Sequence, residues 1–178
     1  MKPSLIHVGS AAGLLLSGLF STAFAEPARQ SRYTDLQECR LVESQEDEGG
    51  YSLSSCAGHG GYKLDVVDAD ARENIFVITP KGQKQSLQLP GRMGGGFSSL
   101  GDTIEWRGRV EGGTLHPTAM IARYQVEDPS GPGRPTSYLL VISLPGKPCL
   151  AAEIAPGPNQ NERARAAADG KLSCLPED

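Results

Sequence analysis

Histidine is scarce in this chain, with three in 178 residues, and none is spaced from another as a metal ligand would be. The four cysteines include no CxxC and form no Cys/His cluster of zinc-ligand spacing, so neither a redox dithiol nor a zinc site is expected. The serine hydrolase elbow GxSxG is missing, since Gly96-Phe97-Ser98-Ser99-Leu100 lacks the closing glycine. Asp68-Ala69-Asp70 opens like a calcium loop, but Glu73 stands where glycine is needed and Thr79 where the closing acid should fall. Positive charge is also short, at 17 basic against 21 acidic residues, a net of −4. That balance excludes a generally basic, phosphate-collecting surface and argues against nucleic acid. No cofactor and no metal are expected.

What is present begins with the first 25 residues. Lys2 precedes an apolar stretch with Leu14, Leu15, Leu16, Leu19 and Phe20, and Ala23-Phe24-Ala25 is the small-x-small pattern cut by signal peptidase. A retained signal anchor is the alternative, but Ser17-Gly18 interrupts the run and it falls short of the ~20 residues a bilayer span needs. Glu26 follows the cut, so this is no lipoprotein, which would carry cysteine there. No later stretch is apolar enough to span a membrane, so no span is expected after signal cleavage. The expected domains are a cleaved signal peptide, 1–25, and one β-rich domain, 26–178. The address is periplasmic or secreted. Removing Lys2 with the leader takes the net charge from −4 to −5.

Export carries Cys39, Cys56, Cys149 and Cys174 into an oxidising compartment. Four cysteines allow three pairings. The local ones, Cys39 with Cys56 and Cys149 with Cys174, are preferred because each brackets a segment that reads as one compact unit. Each bridge would add roughly 3 kcal/mol in the chain-entropy account.

Along the chain, short apolar runs broken by Gly, Pro, Asn and Asp are an all-β signature. Residues 26–32 read as a frayed start. Residues 39–43 and 51–56 form a hairpin around an acidic tip, and Tyr62, Leu64 and Val66 alternate with Lys63 and Asp65. A buried run follows at 74–79, a short strand at 86–89, and then a glycine-rich stretch, 90–96. Strands are expected at 103–110, with Ile104, Trp106 and Val110 on one face, and at 118–126, with Met120, Ala122, Tyr124 and Val126 together. After a Pro/Gly loop at 128–135, residues 137–144 are almost wholly apolar and suit a central strand. The last unit is a short strand at 150–154 and an Ala-rich helix at 162–169, capped by Asn159 or Asn161 and stopped by Gly170. The bridge from Cys149 to Cys174 would clamp that helix onto the sheet. The fold class is therefore a single antiparallel β-sandwich, or a strongly curved sheet, with one short C-terminal α-helix and two disulfides.

Two clusters bear on function. Glu105, Arg107 and Arg109 share a face with Arg123 and Gln125, flanked by Trp106 and Tyr124, and guanidinium groups in a row can hold a carboxylate, phosphate or acidic sugar. The commoner use of such a pattern is cross-strand pairing, Glu105 with Arg123 for instance, with Trp106 and Tyr124 in the core. His59 lies in Gly58-His59-Gly60-Gly61, a faint echo of an esterase oxyanion loop, though a loop histidine in a tight turn is its simpler reading.

Tyr33-Thr34, Leu36 and Cys39, then Cys56, Gly60-Gly61-Tyr62, Asp70 and Arg72, Glu105-Trp106-Arg107, Ala122-Arg123-Tyr124 and the helix before Cys174 together resemble small exported proteins of Gram-negative bacteria. That resemblance implies a periplasmic address and no activity. The functional expectation is a non-enzymatic binding or inhibitor-type module that engages an envelope component or a protein partner through Arg107, Arg109, Arg123, Trp106 and Tyr124. Two alternatives stand beside it: a small periplasmic hydrolase using His59 or His116, and a structural envelope protein acting in a complex.

Overall fold

The computed structural model describes residues 29–45, 47, 50–128 and 133–176. The leader at 1–25, most of the acidic hairpin tip (46, 48 and 49) and the middle of the Pro/Gly loop (129–132) lie outside the described residues.

Ten strands follow one another along the described residues. The first six are β1 (Gln30–Asp35), β2 (Arg40–Gln45), β3 (Tyr51–Ala57), β4 (Lys63–Ala69), β5 (Glu73–Ile78) and β6 (Lys84–Ser86). One helical turn, α1 (Leu89–Arg92), precedes β7 (Ser98–Glu111), β8 (Thr114–Val126), β9 (Thr136–Ser143), β10 (Cys149–Ile154) and the helix α2 (Gln160–Asp169). They form two five-stranded antiparallel sheets, ordered β1-β7-β8-β9-β10 and β2-β3-β4-β5-β6. The fold is a β-sandwich stapled by Cys39–Cys56 and Cys149–Cys174.

The period-two pattern sets which side chains meet in the middle. Leu64, Ile75 and Val77 of one sheet face Ile104, Trp106, Met120, Ala122, Tyr124, Leu140 and Ile142 of the other, all fully buried. The other face of β8 and β9 also goes dry, because α2 lays Ala164 and Ala168 over Ala119, Ile121, Leu139 and Val141. With both faces covered, β9 has no use for polar residues, which is why it reads as one apolar run. It is interior, but the middle strand of its sheet is β8.

Buried polar ties hold one sheet to the other. Trp106 Nε1 donates to Thr34 Oγ1 at 3.0 Å, and that hydroxyl donates to the Ala57 carbonyl at 3.0 Å, joining β7 and β1 to β3. Tyr124 Oη donates to the Glu73 carbonyl at 2.7 Å and accepts from Ser98 Oγ at 2.7 Å, joining β8 to β5. Burial pushes the Tyr124 hydroxyl up to about 12, so it remains a donor.

Several boundaries differ from the sequence reading: the short strand expected at 86–89 is β6 at Lys84–Ser86, with Leu89 already in the turn α1 because Pro90 supplies no N–H to a ladder, and β8 begins at Thr114 rather than 118. The frayed start is ordered from Gln30 on, because β1 pairs with β7 over Gln30–Asp35 despite having only Thr34 buried. β7 begins at Ser98 rather than 103 and changes register with β8 at Arg107/Gly108. A Cβ on Gly108 would sit 2.1 Å from the His116 carbonyl oxygen, so the shift requires glycine. The helix starts two residues earlier than expected. Asn159 precedes it in a left-handed conformation (φ 53°) with no side-chain cap, and the Gln160 amide instead donates to the Ser137 and Ile154 carbonyls.

Candidate functional site

The arginine face lies beneath α2. Arg107, 9% exposed, donates from Nε to Asp169 Oδ1 at 3.0 Å, from Nη2 to Asp169 Oδ2 and from Nη1 to Ser31 Oγ at 2.7 Å. Glu105 pairs with Arg165 of the helix at 2.8 Å, rather than with Arg123. Arg123 donates to Ser137 Oγ at 2.9 Å and to Gln160 Oε1 at 3.3 Å. Trp106 and Tyr124 are in the core. Arg109 stands opposite His116 on the β7–β8 ladder. The pattern that marks an anion row in sequence thus sits, in the fold, at a polar seam between sheet and helix. Tyr33, Thr103 and Asn161 line what space is left there, about 160 Å³.

The two histidines of the described residues lie on different elements. His59 Nε2 is 3.1 Å from the Tyr33 carbonyl oxygen, and its ring meets Trp106 edge-on at 6.1 Å. Its neighbour Gly60 has φ +61°, and a Cβ there would fall 2.4 Å from Pro117 Cδ, so this glycine serves close packing on β8. His116 is exposed on β8. Among the described residues neither imidazole bonds to a serine, aspartate or glutamate. No group of three His, Cys, Asp or Glu there is placed to hold a metal, and no helix there is long and apolar enough to cross a membrane.

A cavity of about 580 Å³ lies at one end of the sandwich between the β5–β6 and β9–β10 turns. Thr79 builds the first turn: its backbone N–H donates to the Gln83 carbonyl at 2.9 Å and its hydroxyl accepts from Gln83 N at 3.2 Å. This holds Lys81 outward beside Pro80. The second turn, Pro145-Gly146-Lys147-Pro148, presents Lys147 from the other sheet. Lys84 lies along the wall, its ammonium 2.6 Å from Asp65 and 4.8 Å from the Phe76 ring centre. Tyr62 is at the base, donating to the Leu144 carbonyl at 3.3 Å, and burial raises its hydroxyl pKa.

Three of the five lysines beyond Lys2 line this cleft, together with Tyr62, Gln83, Gln85 and two prolines, and no carboxylate lines it. Lys81 has no ion-pair partner among the described residues. In a chain of net charge −4, that is a local reversal of sign. Sequence reasoning passed over these lysines because they are 66 positions apart at the extremes. The available signal was that Lys81 and Lys147 each sit in a Pro/Gly turn, where a charged side chain is presented rather than packed.

Comparison with protein families, with curated proteins and with solved structures finds no match to this chain.

Proposed function

We propose that this chain is an exported, non-enzymatic binding module of the periplasm or extracellular medium, and that the lysine cleft takes an anionic ligand. The observation that carries the reading is the cleft itself: a cavity of about 580 Å³ in an acidic chain, lined by three lysines, of which Lys84 pairs with Asp65 behind the wall, and by no carboxylate. Its volume is in the range of small-ligand sites. Tyr62, Pro80 and Pro148 offer apolar surface beside the charges, which suits a ligand carrying carboxylate or phosphate on a less polar frame. Two disulfides and the leader pattern support an oxidising address. The rigid, cross-tied sandwich supports recognition by preformed turns rather than by rearrangement.

The test is equilibrium binding of a short oligoglutamate, an oligouronate and inorganic phosphate, with oligoglutamine as the neutral control. Trp106, the only tryptophan, reports binding because its ring lies 6.2 Å from that of Tyr62. At least one anion is expected to bind, more weakly as salt rises, and Lys81→Glu is expected to weaken it about tenfold. Binding of oligoglutamine as tight as that of the anions, or no binding by any of the three anions, would refute the reading.

A further inference from the structure

We propose that a second copy of this chain docks into the lysine cleft, presenting the Phe97 end of its own sandwich, so that copies associate head to tail. This rests on the cleft being the anion-accepting end. β5 runs from Glu73 at one end of the sandwich to Ile78 at the other, so cleft and Phe97 mark opposite ends.

Phe97 is a large apolar ring, 47% exposed, held firmly in place. Its carbonyl accepts from Glu127 N at 2.9 Å, and the next residue, Ser98, donates its N–H to the Ala71 carbonyl at 2.9 Å. The Arg72 guanidinium lies over the ring at 4.9 Å and is itself neutralised by Asp70. Glu127 and Asp128 border the same shallow cavity of about 450 Å³, and Glu127 enters no ion pair among the described residues. An aromatic anchor ringed by carboxylates is the complement of a cleft with an apolar base and an ammonium rim.

The charges also decide the geometry. An isologous contact would set Glu127 against Glu127 or Lys81 against Lys81, whereas the heterologous contact pairs each with the other. Because the two complementary surfaces are at opposite ends, repetition gives an open string rather than a closed dimer. The free anionic ligand and the second copy both need Lys81, so ligand dissolves the string.

Sedimentation velocity from about 10 µM to about 1 mM tests this, in about 50 mM and about 500 mM salt. The native chain is expected to show masses beyond the dimer that rise with concentration and fall with salt or added oligoglutamate. Phe97→Ala is expected to weaken association about thirtyfold, the effect of losing a central aromatic anchor, while keeping oligoglutamate binding. Lys81→Glu is expected to weaken both. An equimolar mixture of Lys81→Glu with Phe97→Ala/Glu127→Gln, each monomeric alone, retains one good head and one good cleft and is expected to stop at a dimer. A monomer mass at every concentration, or association undiminished by Phe97→Ala, overturns the proposal. Failure of the native chain to bind any anion would instead overturn the cleft reading beneath it.

Discussion

The contact between Arg107 and Asp169 gives the sharpest quantitative test of the fold. Asp169→Ala leaves the Arg107 guanidinium under the helix with its side chain 11% exposed. Breaking a buried pair from one side costs about 3–5 kcal/mol. Two features reduce that here: the Asp169 side chain is already 30% exposed, and Arg107 keeps Glu105 at 3.6 Å and the Ser31 hydroxyl. The expected cost is therefore about 2 kcal/mol, a Tm drop of roughly 4–8 °C for a domain of this size. Arg107→Met removes the buried charge itself and leaves a partly hydrated carboxylate, so it should cost about 1 kcal/mol. The double variant is expected to be less destabilised than the sum of the two singles. Urea unfolding followed by Trp106 emission measures all three, since that ring is buried between the sheets. A destabilisation by Asp169→Ala below about 0.5 kcal/mol would refute the reasoning and leave the helix held by its alanines and its other polar contacts. The same Arg107→Met protein should bind oligoglutamate normally. Binding lost with the fold intact would make Arg107 a ligand contact rather than a strut.

Two further outcomes are expected. Burial first, and the Asp68 charge to a lesser degree, raise the pKa of the Glu73 carboxyl, while the Leu100 N–H lowers it in part. The native state thus holds that proton more tightly than the unfolded chain. The associated stability is full below the ordinary carboxylate range, about 4, and lost as pH rises through the elevated native value. Glu73→Gln should therefore raise Tm at pH 7 and lose its advantage on acidification, as thermal melts across pH will show. Replacing Cys149 and Cys174 by serine opens a span of 25 residues and should cost about 3 kcal/mol, read by urea unfolding. The helix should loosen first, with faster hydrogen exchange over 160–169 than in β8.

Sequence alone determined what depends on local pattern. Alternation at period two showed which side chains of β4, β7 and β8 meet in the core, because each half-buried strand repeats the difference between its two faces, whereas β5 read as one buried run and only the fold turned Ile75 and Val77 inward. The absence of helical periodicity before residue 159 supplied the mainly β class, and the cysteine spacing favoured the local pairing that the structure has. Gly170 marked the end of α2.

Tertiary structure alone decided where each polar group is used. A charged residue on the back of a strand reads the same whether it faces water or a helix. The covering of the arginine face followed only from α2 folding back across β8 and β9 and bringing Asp169 within 3.0 Å of Arg107. β1 was illegible because an edge strand with one buried residue carries almost no apolar signal, and its pairing lies in the backbone. The lysine cleft and the Phe97 end were illegible for a related reason. Each is assembled by turns from both sheets, so their charges become neighbours only when the sandwich closes.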